Sequence, residues 1–304
     1  MLTFREQKES LLCIALAMIG LMGCASKSDW QDPGLSYEPK AFKQILKTRV
    51  PELSEKQVVA PFEVPRDARA LARKKLNEAP AGLNPVQILV SALTDPKPEG
   101  LGIEYDWAAS GTAAQTLQIG KGDCVSLAMV LVGLGRGLGW PIYFAEARPE
   151  QPVTHEFIEL TVLSSHMIVI VLTQEGPVMI DFLGLIDKTA YEIHPIDDLN
   201  AYAHLINNIA GHQIVSNASV DRQMWELAQQ SFRLVTQIQP DLGRGWNNLG
   251  IAYTRLDQFD KARLAYNKAM ELETVFGSPS RNLTIMETRA SGKPSVTLRA
   301  LSGE

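Results

Sequence analysis

The sequence predicts an α+β domain followed by an all-α array of paired helices, with an address segment in front of both. Three observations carry this. Residues 124–135 (CVSLAMVLVGLG) are apolar nearly all round, as a helix at the centre of a core would be. The strand-like runs PIYFAEA, HMIVIVLT and VMIDFL come after that helix instead of alternating with further helices, which is the α+β order. From Tyr202 onward the pattern is helical and repeats. A chain of 304 residues fits two folded units. Its 45% hydrophobic and 21% charged content is that of a globular protein with a real core. A net charge of −5 argues against a nucleic-acid binder. A mean hydropathy of −0.04 rules out a bundle of membrane spans.

Residues 1–10 carry Arg5 and Lys8 beside Glu6 and Glu9, and an apolar run follows from Leu11 to Leu21. In a helix that run reaches about 16 Å, short of a hydrocarbon core of about 30 Å, so it reads as a secretory signal and not as a span. Leu21-Met22-Gly23-Cys24 resembles a bacterial lipobox. The resemblance implies cleavage before Cys24, a diacylglycerol on its sulfur and a membrane held through that lipid. Ala25, where an aspartate would resemble the inner-membrane retention signal, points to the outer membrane and a periplasm-facing protein. Residues 1–23 are thus expected to be a signal peptide. Residues 24–40, with Asp29, Asp32, Pro33, Gly34 and Pro39, are expected to be a polar tether. Of the three cysteines, Cys13 leaves with the signal and Cys24 carries lipid. Cys124 is then the sole thiol, so no internal disulfide can form. In an oxidising compartment such a thiol is either well buried or chemically used.

Residues 41–198 form the expected α+β domain. Helical patterns open at Pro65-Arg66-Asp67 and at Asn84-Pro85, each with proline in the first turn and the second with Asn84 as cap. They end near Leu76 and Leu93. A Pro/Gly-rich loop and the turn GKGD then lead to the apolar helix at Cys124, which is expected to end among Gly133, Gly135, Gly137 and Gly139. Pro141–Ala147 is the first strand. His166–Thr173 and Val178–Leu183, around the turn QEGP, form an antiparallel hairpin.

In residues 199–290, Trp246, Leu249, Gly250 and Tyr253 followed by Ala262, Tyr266 and Ala269 match the tetratricopeptide pattern of large and small residues in a two-helix unit. Thr274 departs from it, standing where proline is usual. About 34 residues earlier Ala228, Phe232 and Pro240 match again. Two repeats and a closing helix are expected, with residues 291–304 as a disordered tail. Asn208, Asn248 and Asn282 fall at equivalent positions and are candidates for one concave face, where amides can bind the backbone of an extended partner. Ordinary repeat architecture is the other explanation for them.

GKGDCVSLAMVLVGLGRGLGWPIYFAEA, together with SSHMIVIV and VMIDFLG downstream, resembles the core of transglutaminase-like cysteine enzymes of the papain-like fold. The likeness covers roughly residues 70–185. It implies Cys124 as nucleophile at the head of a central helix, His166 as base on one strand and Asp181 as orienting carboxylate on the next. With the repeats, the whole chain resembles bacterial lipoproteins that carry a transglutaminase-like domain followed by tetratricopeptide repeats.

The residues themselves agree with that chemistry. A thiol attacks as thiolate, which a helix N-terminus and an adjacent imidazolium favour. His166 would supply the imidazolium and Asp181 would hold its ring. Asp123 can cap the helix, although its charge opposes a thiolate. With a two-residue loop at Gln174-Glu175, His166 and Asp181 share a face as diagonal neighbours about 7–8 Å apart. Cys124 as a packed structural thiol is the plain alternative. His155 is a rival base. His194, His204 and His212 read as surface. Gln115 and Gln118 are the candidate side-chain donors to an oxyanion, and each reads equally as a solvated helix residue. No metal is expected, since the mature thiol has no CxxC partner, and no cofactor is implied. The expected function is a membrane-anchored, periplasmic thiol enzyme. It would act on peptide or amide bonds as peptidase, amidase or acyl transferase, with repeats that bind a protein partner or substrate. A non-catalytic lipoprotein scaffold with a vestigial triad is the second reading.

Overall fold

A computed structural model describes residues 34–149, 154–157, 160–163, 166–184, 191–217, 219–272 and 278–292. The expected signal peptide, the lipidation residue Cys24 and the tail beyond residue 292 lie outside the described residues. The chain divides into two compact units, one of residues 1–151 with 165–205 and one of residues 152–164 with 206–304. That division falls inside a helix, seven residues past the boundary at 198 expected from the sequence.

The first unit begins with three helices, α1 (Pro39–Arg49), α2 (Arg66–Glu78) and α3 (Pro85–Thr94). Asn84 caps α3 by accepting from the Val86 N–H at 2.8 Å, and Pro85 supplies the fixed φ and absent donor that suit a first turn. A two-residue strand β1 (Glu104–Tyr105) pairs in parallel with β2 (Lys121–Gly122) across the short helix α4 (Ala113–Ile119). The long apolar run forms α5 (Cys124–Gly137), buried on almost every side. Behind it lies an antiparallel sheet of β3 (Ile142–Pro149), β6 (His166–Thr173), β7 (Gly176–Ile180) and β8 (Tyr191–Ile196), in the order β7-β6-β3-β8. Strand β8 escapes sequence reading because YEIHPI alternates over only four residues before Pro195, which only an edge strand accepts.

Two glycines of α5 are spacing devices as well as weak helix formers. A Cβ at Gly133 would stand 2.1 Å from the Phe62 carbonyl oxygen, and one at Gly135 would stand 2.9 Å from the Ile142 side chain. Only glycine lets α5 approach a neighbouring backbone and β3 this closely.

Arg136, near the end of α5, lies over the rings of Phe62 and Phe144 at 5.0 and 5.7 Å. Its two terminal nitrogens donate to the Asp198 carboxylate at 2.7 and 2.8 Å. Asp198 is fully buried. Burial pushes its carboxyl upward, and Arg136 and the Tyr37 amide work against that shift. The Tyr37 N–H donates to Asp198 at 2.8 Å, and the Asp198 N–H donates to the Leu35 carbonyl at 3.2 Å. The expected tether of residues 24–40 therefore overruns the folded body. Residues 35–37 are held by the backbone and side chain of Asp198, for which a reading of local polarity has no signal.

In the second unit, β4 (Thr154–Phe157) and β5 (Leu160–Leu163) form a small antiparallel hairpin. Helix α6 (Asp198–Val215) runs through the division, and α7 (Arg222–Ile238), α8 (Gly243–Arg255), α9 (Phe259–Leu272) and α10 (Ser278–Ala290) follow. The repeat residues meet as the pattern demands. A Cβ at Gly250 of α8 would stand 2.6 Å from the Tyr266 ring of α9, so the small residue seats the large one. The Tyr266 hydroxyl, fully buried, pairs with Thr254 Oγ1 at 3.1 Å. Trp225, Ala228 and Phe232 of α7 join Leu249, Ala252, Ala262, Ala265 and Met286 in one apolar cluster. Asp257, at φ 59°, makes the turn between α8 and α9, a left-handed position that aspartate tolerates better than most residues. Thr274 lies outside the described residues.

Candidate functional site

Cys124 is the first residue of α5 and is partly exposed. Its position is fixed from the residues just before it. The Asp106 N–H donates to the Gly122 carbonyl at 2.9 Å and the Asp123 N–H to the Ala109 carbonyl at 2.8 Å. Asp123 is the N-cap, accepting from the Ser126 N–H at 2.8 Å and from the Ser126 and Ser110 hydroxyls at 2.6 Å each. Its buried carboxylate is thus met by donors of the loop and helix. As the first residue of the helix, Cys124 has a backbone N–H with no intrahelical acceptor.

His166 opens β6 opposite Ala147 of β3. Thr173 pairs with Gly176, which leaves the two-residue turn Gln174-Glu175. In that register His166 and Asp181, one residue beyond β7, fall on the same face as diagonal neighbours. Their side chains close the gap, with His166 Nε2 at 2.5 Å from Asp181 Oδ1. The same Asp181 oxygen accepts from the Leu183 N–H at 2.9 Å. Nε2 is turned to Asp181, and the Cys124 side chain is close enough to the ring to contribute to its charge state. The structure brings Cys124, His166 and Asp181 together.

Burial of His166 opposes its charged form. The hydrogen bonds to Asp181 and Cys124, with the charges of both groups, outweigh that and raise it to about 9. At neutral pH the ring is therefore an imidazolium, the partner a thiolate needs. A stability consequence can be measured in the parent protein, where Asp181 and Cys124 together raise His166 from its ordinary 6.5 to about 9 against the effect of burial. The folded state then holds a proton that the unfolded state releases, so its stabilisation is complete below about pH 6.5 and is lost as pH rises through the folded value. The expected result is a melting temperature that falls between about pH 6.5 and 9. Asp181→Asn, which removes the hydrogen bond and charge of Asp181, should flatten that slope.

The other sequence candidates fare differently. Gln115 closes a capping box with Thr112, its Oε1 accepting from the Thr112 N–H at 2.9 Å, so it holds the start of α4 instead of serving the thiol. Gln118 is exposed on α4. The side chain of His155 lies outside the described residues. His204, read as surface, is 3% exposed within α6, because that helix buries nearly its whole first half. The asparagines pair with one another as an amide ladder. Asn248 Nδ2 donates to Asn207 Oδ1 at 2.9 Å, and Asn282 Nδ2 donates to Asn247 Oδ1 at 2.9 Å. Asn282 is 1% exposed and so does not line an open face, and it is Asn207, the neighbour of the expected Asn208, that accepts from Asn248. Sequence reading missed Tyr105 altogether. It pairs with Gly122, two residues ahead of Cys124, on a strand too short to leave a pattern.

A tetratricopeptide-repeat family model matches residues 243–273, which are α8, α9 and the turn between them. No curated protein and no solved structure gives a match to the chain. The repeat supports a protein-interaction role for the second unit.

Proposed function

We propose that the first unit is a transglutaminase-like thiol enzyme acting on peptide or amide bonds, held at the outer membrane by lipid on Cys24, with the repeats engaging a protein partner or substrate. The observation that carries this is the convergence of Cys124, His166 and Asp181, with His166 held charged beside the thiol. The Cys124 thiolate attacks the substrate carbonyl, and the developing oxyanion meets the N–H at the head of α5. The His166 imidazolium gives its proton to the leaving amine as the C–N bond breaks, leaving a thioester on Cys124 and a neutral ring. Water then releases an acid, or a second amine an amide, with His166 taking the proton that returns it to imidazolium. Asp181 fixes the ring throughout. The second reading, a scaffold, keeps the repeat and discards the thiol chemistry.

The reading is tested with iodoacetamide at neutral pH. In the folded protein Cys124 is expected to alkylate faster than in denaturant, since unfolding removes the imidazolium. Slow labelling that needs denaturant favours the scaffold. The anchor is tested separately. Cys24→Ser should lose detergent-phase partitioning and accumulate as unprocessed or soluble protein, and unchanged partitioning would overturn the lipid anchor.

A further inference from the structure

The hairpin β4–β5 belongs to the repeat unit, although its chain arrives from β3 and continues into β6 of the first unit. Within the repeat unit β5 packs against α10. Its two strands are four residues each, and an isolated two-stranded hairpin is marginal at best in water. The order of β4–β5 therefore depends on α10.

Helix α10 depends in turn on the repeats. It is the last helix among the described residues, and a terminal element of a stacked array has a neighbour on one side only. Met286 of α10 is fully buried in the repeat cluster with Leu249 and Tyr266. Asn282 of α10 donates to Asn247 of α8 at 2.9 Å, Asn247 donates to Asn248 at 3.3 Å, and Asn248 donates to Asn207 of α6 at 2.9 Å. The amides run as one chain across α10, α8 and α6, and bonds in such a chain strengthen one another.

His166 lies just beyond the hairpin along the chain. Two residues separate Leu163, the end of β5, from His166, the start of β6, which allows at most about 11 Å between their backbones. Opposite Ala147, His166 also forms the last pair of the β3–β6 ladder. Ends of elements fray first, so the station of this ring rests on Asp181 and on the chain that arrives from β5.

We propose that β4–β5 is a relay through which the packing of α10 in the repeats sets the station of His166, so that a protein bound by the repeats regulates the reactivity of Cys124. The relay rests on the thiol-enzyme reading above. Its two states are β5 docked on α10, with His166 held at its station, and β5 released. A partner that orders α10 favours the first state and raises reactivity, whereas loosening α10 favours the second.

The test is a mutant cycle read by iodoacetamide at the Cys124 peptide at neutral pH. Asn282→Ala and Met286→Ala each loosen α10 and should slow alkylation about three- to tenfold. Inserting Gly-Ser-Gly-Ser between Ser164 and Ser165 cuts the relay without touching α10 and should slow alkylation by a similar factor. Combining the insertion with either substitution should then add nothing, since both act through the same step. Losses that multiply in the combined proteins, or substitutions that leave the rate unchanged, overturn the relay and leave the thiol reading intact. Slow labelling that does not depend on His166 overturns the thiol reading and the relay with it. Hydrogen exchange of the parent protein covers the case in which a variant fails to fold. Coupling is reciprocal, so capping Cys124 with iodoacetamide should quicken exchange in residues 154–163 and 278–290. Unchanged exchange there overturns the relay.

Discussion

Replacing His166 with alanine is expected to slow iodoacetamide alkylation of Cys124 at pH 7 by about tenfold, because a thiol without a cationic neighbour is only a few per cent thiolate there. The His166 ring is placed to have this effect. Its Nε2 is anchored at 2.5 Å on Asp181 Oδ1, and its charge is retained up to about pH 9. Asp181→Asn should act differently. An amide still accepts or donates a hydrogen bond, so alkylation should fall only modestly. The ring would be freed to take the wrong tautomer, and turnover of an amide substrate should drop by on the order of a hundredfold. The measurement is alkylation rate against pH for the parent, His166→Ala and Asp181→Asn proteins. Three superimposable curves would make Cys124 a packed structural thiol.

The largest stability loss is expected at Asp198. Asp198→Asn leaves the half-buried Arg136 guanidinium against Phe62 and Phe144 without its counter-charge. Removing one member of a buried ion pair costs about 3–5 kcal/mol, since the remaining charge has been taken out of water for nothing. For a unit of this size that corresponds to a fall in melting temperature of about 10 °C. Arg136→Met combined with Asp198→Leu should cost less than Asp198→Asn alone, because neither charge is then stranded. Thermal unfolding by circular dichroism decides it. If Asp198→Asn loses less than about 1 kcal/mol, the size of an exposed pair, the Arg136–Asp198 pair is not as dry as its geometry indicates.

The elements that are long and strongly patterned are legible in the chain. An apolar run that fills residues 124–135 of a helix has no stable place except in a core, and Asn84-Pro85 carries its own capping chemistry. The hairpin is legible as two strands around a tight turn, but its register is not, since an odd-length loop would put His166 and Asp181 on opposite faces. The two-residue turn seen in the structure is what makes them diagonal neighbours.

What local sequence determined about this protein is therefore its helices, its hairpin, its repeat and the order of Cys124, His166 and Asp181. The tertiary structure alone decided which polar residues serve the site and which serve the fold. Gln115 is claimed by Thr112 three residues away, and Asp198 by Arg136 sixty-two residues away. Tyr105 is brought to Cys124 by a two-residue strand pair. Asn207 and Asn282 are consumed by neighbouring amides on α8. The physical reason is the same in each case. Apolar periodicity is written along one segment, whereas a polar group's role depends on which partner satisfies it, and that partner arrives only when distant segments pack.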